Sequence, residues 1–520
     1  MRRALELGLK DPAAHYHYGC ALAFLHQYAN AAEAFEAALA VKPDFLLART
    51  NLANCYLELR EFEPAEKHYR LVLAVEPGNL AACHNLGQVF ALTQRVDEAI
   101  EYYQRAADAA PGIAELWATL AVVQESNNDL VGSEQSASKA LCIEPHSITA
   151  NTAISRVLRR NGRPLEALAA LDAGRITSNT PGLAIGYWNE RGTVLEKLGR
   201  HNEAMQAHSQ CKALLAEKRA NPFDMAATLS TLHQERAILT ADRAKTWSVR
   251  PETTSPIKGP APVFIVGFPR SGTTLLEQML GCHSAITACG ELGTCLEREA
   301  GSGGYPQNLL DIDDAARVSK LSALRNEYFG TLHRHAGEGK QAQFATDKLP
   351  LNLMRIGLIR LLLPEARIIH VMRHPLDSVL SAYFTAFLLG NDWSLKLTDT
   401  AQMFAESWQQ AQIMRQLPGM KFMSLRYEDL VTDAEQHLRK ALNFLDLAWE
   451  PECLEFHQSK RVARTASYAQ VNRPLYQTSK NRYRPYLEYF DAQTLALLQP
   501  AMEQYGYTLE GLPALDETTA

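Results

Sequence analysis

A loop rich in small and hydroxyl side chains is the strongest candidate for chemistry in this chain. It reads Phe268–Pro269–Arg270–Ser271–Gly272–Thr273–Thr274 and joins the apolar run 262–267 to the helical pattern LLEQML. The run has the length and the β-branched content of a buried parallel strand. A glycine-bounded loop between a strand and a helix points backbone N–H groups at an anion, and hydroxyl side chains add donors. We therefore predict an anion site built from Arg270, Ser271, Gly272, Thr273 and Thr274.

The loop differs at one position from the nucleotide-triphosphatase pattern GxxxxGK[ST]. Gly267 and Gly272 have the required spacing, but Thr273 stands where the lysine belongs, and the loop carries Arg270 as its cation. Loss of that lysine argues against a magnesium-dependent phosphoryl-transfer enzyme. A kinase-like nucleotide enzyme therefore stays only as an alternative.

A second strand pattern is followed by another candidate anion ligand. The apolar run 366–372 ends at Arg373, and Ser381 follows eight residues later, beyond a turn that contains Pro375. The planar guanidinium of an arginine gives a phosphate two charge-assisted hydrogen bonds, and a serine on the following helix would add a hydroxyl donor. Taken alone, Arg373 could also be a surface charge.

The string PRSGTTLL resembles the 5′-phosphosulfate loop of sulfotransferases, which use 3′-phosphoadenosine 5′-phosphosulfate (PAPS) as sulfuryl donor. The pair Arg373 and Ser381 resembles the 3′-phosphate site of that family. Three softer matches are the segment 425–430, the segment 467–474, which is similar to tyrosylprotein sulfotransferases, and the segment 479–483, which is similar to bacterial members. The resemblance covers roughly residues 259–510.

These softer matches imply further nucleotide ligands. Tyr427 and Ser467 are expected to touch the nucleotide. Arg473, Lys480 and Arg482 either line its phosphates or face solvent, and the sequence leaves both readings open.

Sulfuryl transfer needs a base for the acceptor and positive charge at the leaving group and the sulfate. The stretch that ends in Cys289–Gly290–Glu291 is similar to the one in tyrosylprotein sulfotransferases, where a glutamate after Cys-Gly is the base. The resemblance therefore implies Glu291 as base, with His283 as its rival. It also implies that Lys348 reaches the bridging oxygen of the leaving group while Arg270 shares the charge at the sulfate. No metal is expected, because these cations supply the positive charge.

One position departs from the tyrosine-specific branch. An arginine four residues after the serine grips the 3′-phosphate there, whereas this chain has Thr385. Another cation is then needed, and protein tyrosine does not follow as the acceptor.

The first half of the chain is a repeat with a period of 34 residues, marked by Pro43, Pro77, Pro111 and Pro145. That is the length of a tetratricopeptide unit, which has two helices. Three other positions keep the same register. They are Gly19, Ala53, Gly87 and Ala121; Ala31, Ala65, Ala99 and Ser133; and Phe35, Tyr69, Tyr103 and Ala137. Small residues let paired helices approach closely, and proline ends the second helix.

We predict an α-solenoid of tetratricopeptide repeats over residues 1–218, a helical linker and connector over 219–258, and a sulfotransferase domain over 259–520. The last is expected to be a three-layer, P-loop-like α/β domain with a central parallel sheet. A solenoid of this kind presents a concave groove, which would take a peptide, protein or glycan acceptor or a separate partner. The alternative to a binding groove is that the repeats form a spacer or a dimerisation surface. The oligomeric state stays open.

Composition narrows the class. The chain has 520 residues, 47% hydrophobic and 21% charged, with a net charge of −6, which is ordinary for a folded protein and disfavours a nucleic-acid binder. Its nine cysteines include no CxxC pair, the N-terminus resembles no secretory signal, and no apolar run is long enough for a membrane span. These features predict a cytoplasmic protein.

The predicted function is PAPS-dependent sulfuryl transfer to a hydroxyl or amine, with the repeats recruiting the acceptor. The alternatives are a non-catalytic repeat adaptor with a nucleotide-binding domain and the kinase-like enzyme.

Overall fold

The structure is a computed structural model of the chain, and it describes residues 11–93, 95–176, 181–219, 222–239, 259–301, 305, 307–337, 342–387, 390–416, 419–458, 475 and 479–507. The chain divides into two compact units after Arg200. Among the described helices, none combines the length and the hydropathy that a membrane-spanning segment requires.

The first unit is a series of helix pairs, as the 34-residue period predicts. Each of the four prolines lies in the turn after the second helix of a pair. The pairs are Pro12–Phe24 with Tyr28–Val41, Leu46–Glu58 with Phe62–Val75, Leu80–Leu92 with Val96–Ala109, Ala114–Ser126 with Leu130–Ile143, and Ile148–Arg160 with Pro164–Ala173, and the helix Pro181–Lys197 follows them.

The small and aromatic positions of the repeat meet inside a helix pair. A Cβ atom built on Gly19 would lie 2.7 Å from the ring of Phe35, and one built on Gly87 would lie 3.0 Å from the ring of Tyr103. In these two pairs the ring packs directly on the glycine, and a larger residue would force the ring to shift; the other two units have Ala53 and Ala121 at this position. The predicted α-solenoid is confirmed.

A buried ion pair helps to join two neighbouring helix pairs, through the helices Ala114–Ser126 and Ile148–Arg160. Arg160 lies 2.7 Å from Glu125, and both side chains are almost fully buried. Removing one partner of such a pair leaves a buried charge without compensation, so the two side chains fix each other's place.

The second unit contains a five-stranded sheet in which every pairing is parallel. The strands are β1 (Ala261–Gly267), β2 (Ile286–Ala288), β3 (Phe344–Asp347), β4 (Arg367–Met372) and β5 (Lys421–Arg426). Their order across the sheet is β2-β3-β1-β4-β5, so the strand that precedes the predicted anion loop lies at the centre. The predicted α/β fold with a central parallel sheet is confirmed.

Helices of the second unit connect and cover these strands. In chain order they are His201–Glu217, Met225–Leu239, Thr273–Leu280, Cys295–Ala300, Gln307–Leu310, Asp314–Ala336, Ile356–Leu362, Pro375–Tyr383, Leu397–Gln416, Tyr427–Thr432, Ala434–Phe444 and Ala492–Gln504, with short 3₁₀ turns at Pro350–Arg355, Asp392–Leu395, Pro451–Leu454, Phe456–Gln458 and Arg484–Tyr489.

Alternation along β1 builds two cores. Phe264 and Val266 belong to a cluster with the helices Asp314–Ala336 and Ile356–Leu362. Val263 and Ile265 belong to a second cluster that includes Thr273–Leu280. Because successive side chains of a strand point to opposite faces, the two clusters lie on opposite faces of the sheet, and the unit has three layers.

The division between the units differs from the predicted domain boundary. We expected the repeats to extend to residue 218, but the helix His201–Glu217 groups with the second unit. Met205 on this helix packs in one apolar cluster with Phe268 of the anion loop. The sequence pattern of the helix resembles a repeat, while its contacts with the second unit depend on tertiary structure.

Candidate active site

The predicted site residues follow the carboxyl ends of the strands. The anion loop follows β1, Glu291 lies three residues after β2, Lys348 follows β3, Arg373 follows β4 and Tyr427 follows β5. In a parallel sheet these ends lie at one edge, which is where ligands bind in open α/β folds. The topology therefore explains how residues far apart in sequence come together.

The anion loop has the close backbone packing that such a site needs. A Cβ atom on Gly267 would lie 2.4 Å from the carbonyl oxygen of Val371, so only glycine fits there. Arg270 and Gly272 both have positive φ, 73° and 103°. A non-glycine residue in this region costs roughly 1–3 kcal/mol, and such strain clusters at functional sites.

Ser271 provides a test of whether an anion fits the loop. Its side chain is fully buried, and its hydroxyl oxygen has no hydrogen-bond partner among the described residues. A buried hydroxyl without a partner is costly, and a bound oxyanion would accept its hydrogen bond. The loop residues therefore fit the phosphate or sulfate group that the sequence predicts.

Arg373 connects the loop to the C-terminal segment. One guanidinium nitrogen donates to the carbonyl of Arg270 at 3.0 Å, and the other donates to the carbonyl of Ser479 at 2.5 Å. Its Nε is buried without a partner among the described residues. Arg373 thus holds the strained residue of the loop and keeps one N–H group for an acceptor.

The hydroxyl of Ser381 lies between two cations. Its Oγ is 3.4 Å from Nε of Arg270 and 3.4 Å from an amino nitrogen of Arg482. Of the two cations near residue 480, Arg482 therefore reaches the predicted phosphate site. Lys480 instead donates to the hydroxyl of Thr432 at 3.0 Å.

Asp377 holds Arg482 in this place. Its fully buried carboxylate accepts hydrogen bonds from the backbone N–H groups of Asn481 and Tyr483, both at 2.9 Å. Burial raises the pKa of Asp377, and Arg373, 3.7 Å away, opposes that shift. Sequence analysis gave Asp377 no role, because its partners lie a hundred residues away.

The ring of Tyr427 packs against the anion loop at Gly272. A Cβ atom on Gly272 would lie 2.5 Å from the Tyr427 ring, and the guanidinium of Arg373 lies 5.2 Å from the centre of that ring. The ring therefore packs tightly against the loop backbone. Two other predicted residues, Ser467 and Arg473, lie outside the described residues.

Glu291 and Lys348 form an ion pair. The ammonium nitrogen of Lys348 lies 2.5 Å from Oε1 of Glu291. The lysine side chain is fully buried, whereas 41% of the glutamate side chain is exposed. Asp347, the residue before Lys348, is buried and accepts hydrogen bonds from Tyr328 and Asn352, each at 3.2 Å. Burial raises the pKa of Asp347 to about 8.

Glu277 supports this pair from the helix behind the loop. Its Oε1 accepts hydrogen bonds from the backbone N–H of Gly290 at 2.8 Å and from the hydroxyl of Thr346 at 2.6 Å. These residues come directly before Glu291 and shortly before Lys348. Glu277 was not predicted as a site residue, although an acidic residue inside the apolar helix Thr273–Leu280 is a signal visible in the sequence.

His283, the rival base, uses both ring nitrogens. Its Nδ1 accepts a hydrogen bond from the backbone N–H of Ala285 at 3.0 Å, so its Nε2 carries the proton and donates to the carbonyl of Ala448 at 2.9 Å. The ring is buried. A histidine in this arrangement has no lone pair available for an acceptor, which favours Glu291 over His283.

Glu291 and the anion loop line one open cleft. Part of its wall is apolar and was not predicted from the sequence. The lining residues are Pro269, Arg270, Gly272, Thr273, Thr274, Glu291, Leu349, Pro350, Leu351, Phe387 and Asn391.

Comparisons with known proteins agree with both units. Residues 262–451 match the family described as "Sulfotransferase family". Residues 25–88 and 80–113 match two families described as "Tetratricopeptide repeat".

Similar sequences include two curated proteins. An "Uncharacterized protein" of Aquifex aeolicus (strain VF5) is 32% identical over 264 residues, which is 46% of this chain and 33% of that protein. The "Protein-tyrosine sulfotransferase" of Drosophila melanogaster is 26% identical over 210 residues, which is 38% of this chain and 40% of that protein. The chain therefore spans well under two thirds of either relative.

Solved structures with a partial likeness include two kinds. The "Sulfotransferase Domain from the Curacin Biosynthetic Pathway" has a TM-score of 0.35 and 21% identity over 49% of this chain and 100% of that one. A "Crystal structure of MamA" has a TM-score of 0.29 and 17% identity over 36% of this chain and 96% of that one. The family matches and the site geometry agree: residues 262–451 are similar to the sulfotransferase family, and segments similar to tetratricopeptide repeats precede them in the chain.

Proposed function

We propose that this chain transfers the sulfuryl group of PAPS to a hydroxyl or amine acceptor. The observation that carries the proposal is the pairing of Lys348 with Glu291 at 2.5 Å, beside the anion loop that contains Arg270. Glu291, a carboxylate that can take a proton, and the cation Arg270 therefore line one cleft, and the buried cation Lys348 lies against Glu291. The family match supports the same chemistry.

The residues would divide the work as follows. PAPS supplies the sulfuryl group and an adenosine bisphosphate leaving group. Glu291 removes the proton from the acceptor as the acceptor binds sulfur, and Lys348 stabilises the negative charge that develops on the departing phosphate oxygen. Because Lys348 lies against the carboxylate oxygen, the pair has to separate before Glu291 accepts a proton.

The nucleotide phosphates would be held at two places. Ser271, Thr273 and Thr274 in the loop fit the 5′ side, where Arg270 adds charge. Arg373, Ser381 and Arg482 fit the 3′-phosphate. Arg482 supplies the positive charge that the tyrosine-specific branch has at the position of Thr385. Tyr427, Ser467 and Lys480 remain sequence-based proposals for nucleotide contacts.

The repeats would recruit the acceptor or a partner protein, because tetratricopeptide arrays present a binding groove. The domain limits 1–218, 219–258 and 259–520 stay proposals, and the structure's division after Arg200 argues for assigning 201–218 to the catalytic unit. Each of the nine cysteines is a thiol without a disulfide, which supports a reducing compartment such as the cytoplasm.

Isothermal titration calorimetry tests the nucleotide assignment. We expect adenosine 3′,5′-bisphosphate to bind in the absence of magnesium and to bind more tightly than ATP with magnesium. Tighter binding of ATP with magnesium would favour the kinase-like alternative. Binding of neither would contradict the proposed function.

A further inference from the structure

The helix His201–Glu217 lies outside the segment that matches the sulfotransferase family, yet it packs within the catalytic unit. His201, Met205, His208 and Lys212 are spaced four, three and four residues apart, so they share one face of the helix. Each of these four side chains contacts the catalytic unit.

Contacts of the helix His201–Glu217 fall at the C-terminal end of the helix Pro375–Tyr383, which carries Ser381. The ring of His208 stacks on Phe384 with 4.0 Å between ring centres. The hydroxyl of Ser209, the residue after His208, lies 3.1 Å from the hydroxyl of Tyr383. The helix His201–Glu217 therefore packs against the C-terminal end of Pro375–Tyr383.

Lys212 contacts the chain segment that contains the cleft-lining residues Phe387 and Asn391. Its ammonium nitrogen donates to the carbonyl of Thr385 at 2.8 Å and to the hydroxyl of Ser394 at 3.1 Å. The residue is only 4% exposed, and both acceptors are neutral. The amine also lies over the rings of Tyr383 and Phe387, at 5.6 and 5.9 Å.

Burying an amine against neutral acceptors is unfavourable, and burial lowers the pKa of Lys212 to about 7. An apolar side chain would fill the same space without this cost. The polar end of Lys212 therefore has a role that packing alone does not explain.

In the sequence, the two acceptors of Lys212, Thr385 and Ser394, flank two residues that line the cleft. Phe387 and Asn391, which line the cleft with Glu291, fall between Thr385 and Ser394. A second tie holds the same wall, because Arg219 lies 2.6 Å from Asp392.

We propose that Lys212 is a positioning residue that sets the cleft wall formed by Phe387 and Asn391, and thereby the fit of the acceptor. This inference rests on the proposed function, because it assigns that wall to the acceptor. It also makes the helix His201–Glu217 part of the enzyme rather than only part of the repeats.

Hydrogen–deuterium exchange of the full chain tests the structural step. In Lys212→Met the long apolar stem is kept and the donor is lost. We expect the amides of Phe387 and Ser394, which donate to Thr385 and Asn391, to exchange on the order of tenfold faster because two hydrogen bonds are lost. Exchange in β1 should stay unchanged, and Ser394→Ala should reproduce part of the effect.

Ser209→Ala is the matched control, since it removes a contact of the same helix with Tyr383 but none with the wall. It should leave exchange at Phe387 and Ser394 as in wild type. Unchanged exchange in Lys212→Met, in a protein that still melts cooperatively, would overturn the inference. An equal effect of Ser209→Ala would show that general docking of the helix matters rather than Lys212.

Kinetics test the functional step, with PAPS as donor and 4-nitrophenol as the acceptor probe. Lys212→Met should raise the KM for 4-nitrophenol about tenfold while the Kd for adenosine 3′,5′-bisphosphate changes less than about twofold. An equal loss of nucleotide affinity would overturn the acceptor role. If wild type fails to bind the bisphosphate, the proposed function fails, while the exchange experiment still decides whether Lys212 sets the wall.

Discussion

The ammonium of Lys348 lies 2.5 Å from the carboxylate of Glu291, although the two residues follow different strands of the sheet. The backbone strengthens the link, because the N–H of Lys348 donates to the carbonyl of Gly290 at 2.9 Å. The sheet thus fixes a proposed base and a proposed leaving-group cation against each other.

Replacing Lys348 with methionine should slow sulfuryl transfer strongly. The variant keeps the buried stem but removes the charge that stabilises the leaving group, and losses of electrostatic stabilisation of this kind are on the order of 10²–10³-fold in kcat. Single-turnover rates at saturating PAPS would measure this. A loss confined to the KM for PAPS would instead make Lys348 a binding residue.

Glu277 should affect the rate of sulfuryl transfer by positioning Glu291, and not by contacting the substrate itself. Glu277→Leu leaves the N–H of Gly290 and the hydroxyl of Thr346 without their acceptor, which costs about 1–3 kcal/mol for a buried polar group and lets Glu291 shift. Glu277→Gln retains an oxygen that can accept both bonds and should keep most of the activity. If the two variants lose activity equally, the charge of Glu277 matters rather than its hydrogen bonds.

Arg482→Ala should weaken the binding of adenosine 3′,5′-bisphosphate and leave the binding of 5′-AMP nearly unchanged. A lost charge-assisted contact is worth about 1.5–3 kcal/mol. Lys480→Ala is the comparison: Lys480 bonds to Thr432 rather than to Ser381, so this variant should weaken binding of the bisphosphate less than Arg482→Ala does. Arg373→Ala should weaken both ligands, since Arg373 also holds the carbonyl of Arg270. Calorimetry with the two nucleotides distinguishes these outcomes, and equal losses in Lys480→Ala and Arg482→Ala would contradict the assignment to Arg482.

The sequence predicted those parts of the molecule that depend on local pattern. The proline period defines the repeats, and the loop around Gly272 and the strand run before Arg373 define two anion sites at one sheet edge. The roles of Glu277, Asp377 and Lys212 depend on partners that are distant in sequence. A motif can name the residues of a site, but it does not contain the contacts that hold them.

Lys212 should give the protein a specific pH dependence of stability. Its pKa is about 7 in the folded chain, against the ordinary lysine value of 10.5 that applies once the chain unfolds. Between these two values the unfolded chain binds more protons, so stability rises with pH. Burial raises the pKa of the neighbouring Cys211 to about 11 and raises the pKa of Tyr383 above its ordinary value.

Between pH 7 and 8.5, relative to Lys212→Met, the free energy of unfolding should therefore rise by up to about 1.4 kcal/mol per pH unit. Urea unfolding at several pH values measures this slope in both proteins. Parallel curves for the two proteins would contradict a buried amine at this position.

The most direct test of the catalytic account is the rate of Glu291→Gln at saturating PAPS, measured as transfer of radiolabelled sulfate to an acceptor. Glutamine keeps the size of the side chain but cannot take the proton, so the rate should fall by ~10²–10⁴-fold while adenosine 3′,5′-bisphosphate binds as in wild type. His283→Asn should lower the melting temperature more than the rate, because His283 bonds to two backbone groups. A near-normal rate in Glu291→Gln together with a large loss in His283→Asn would contradict the account and assign the base to His283.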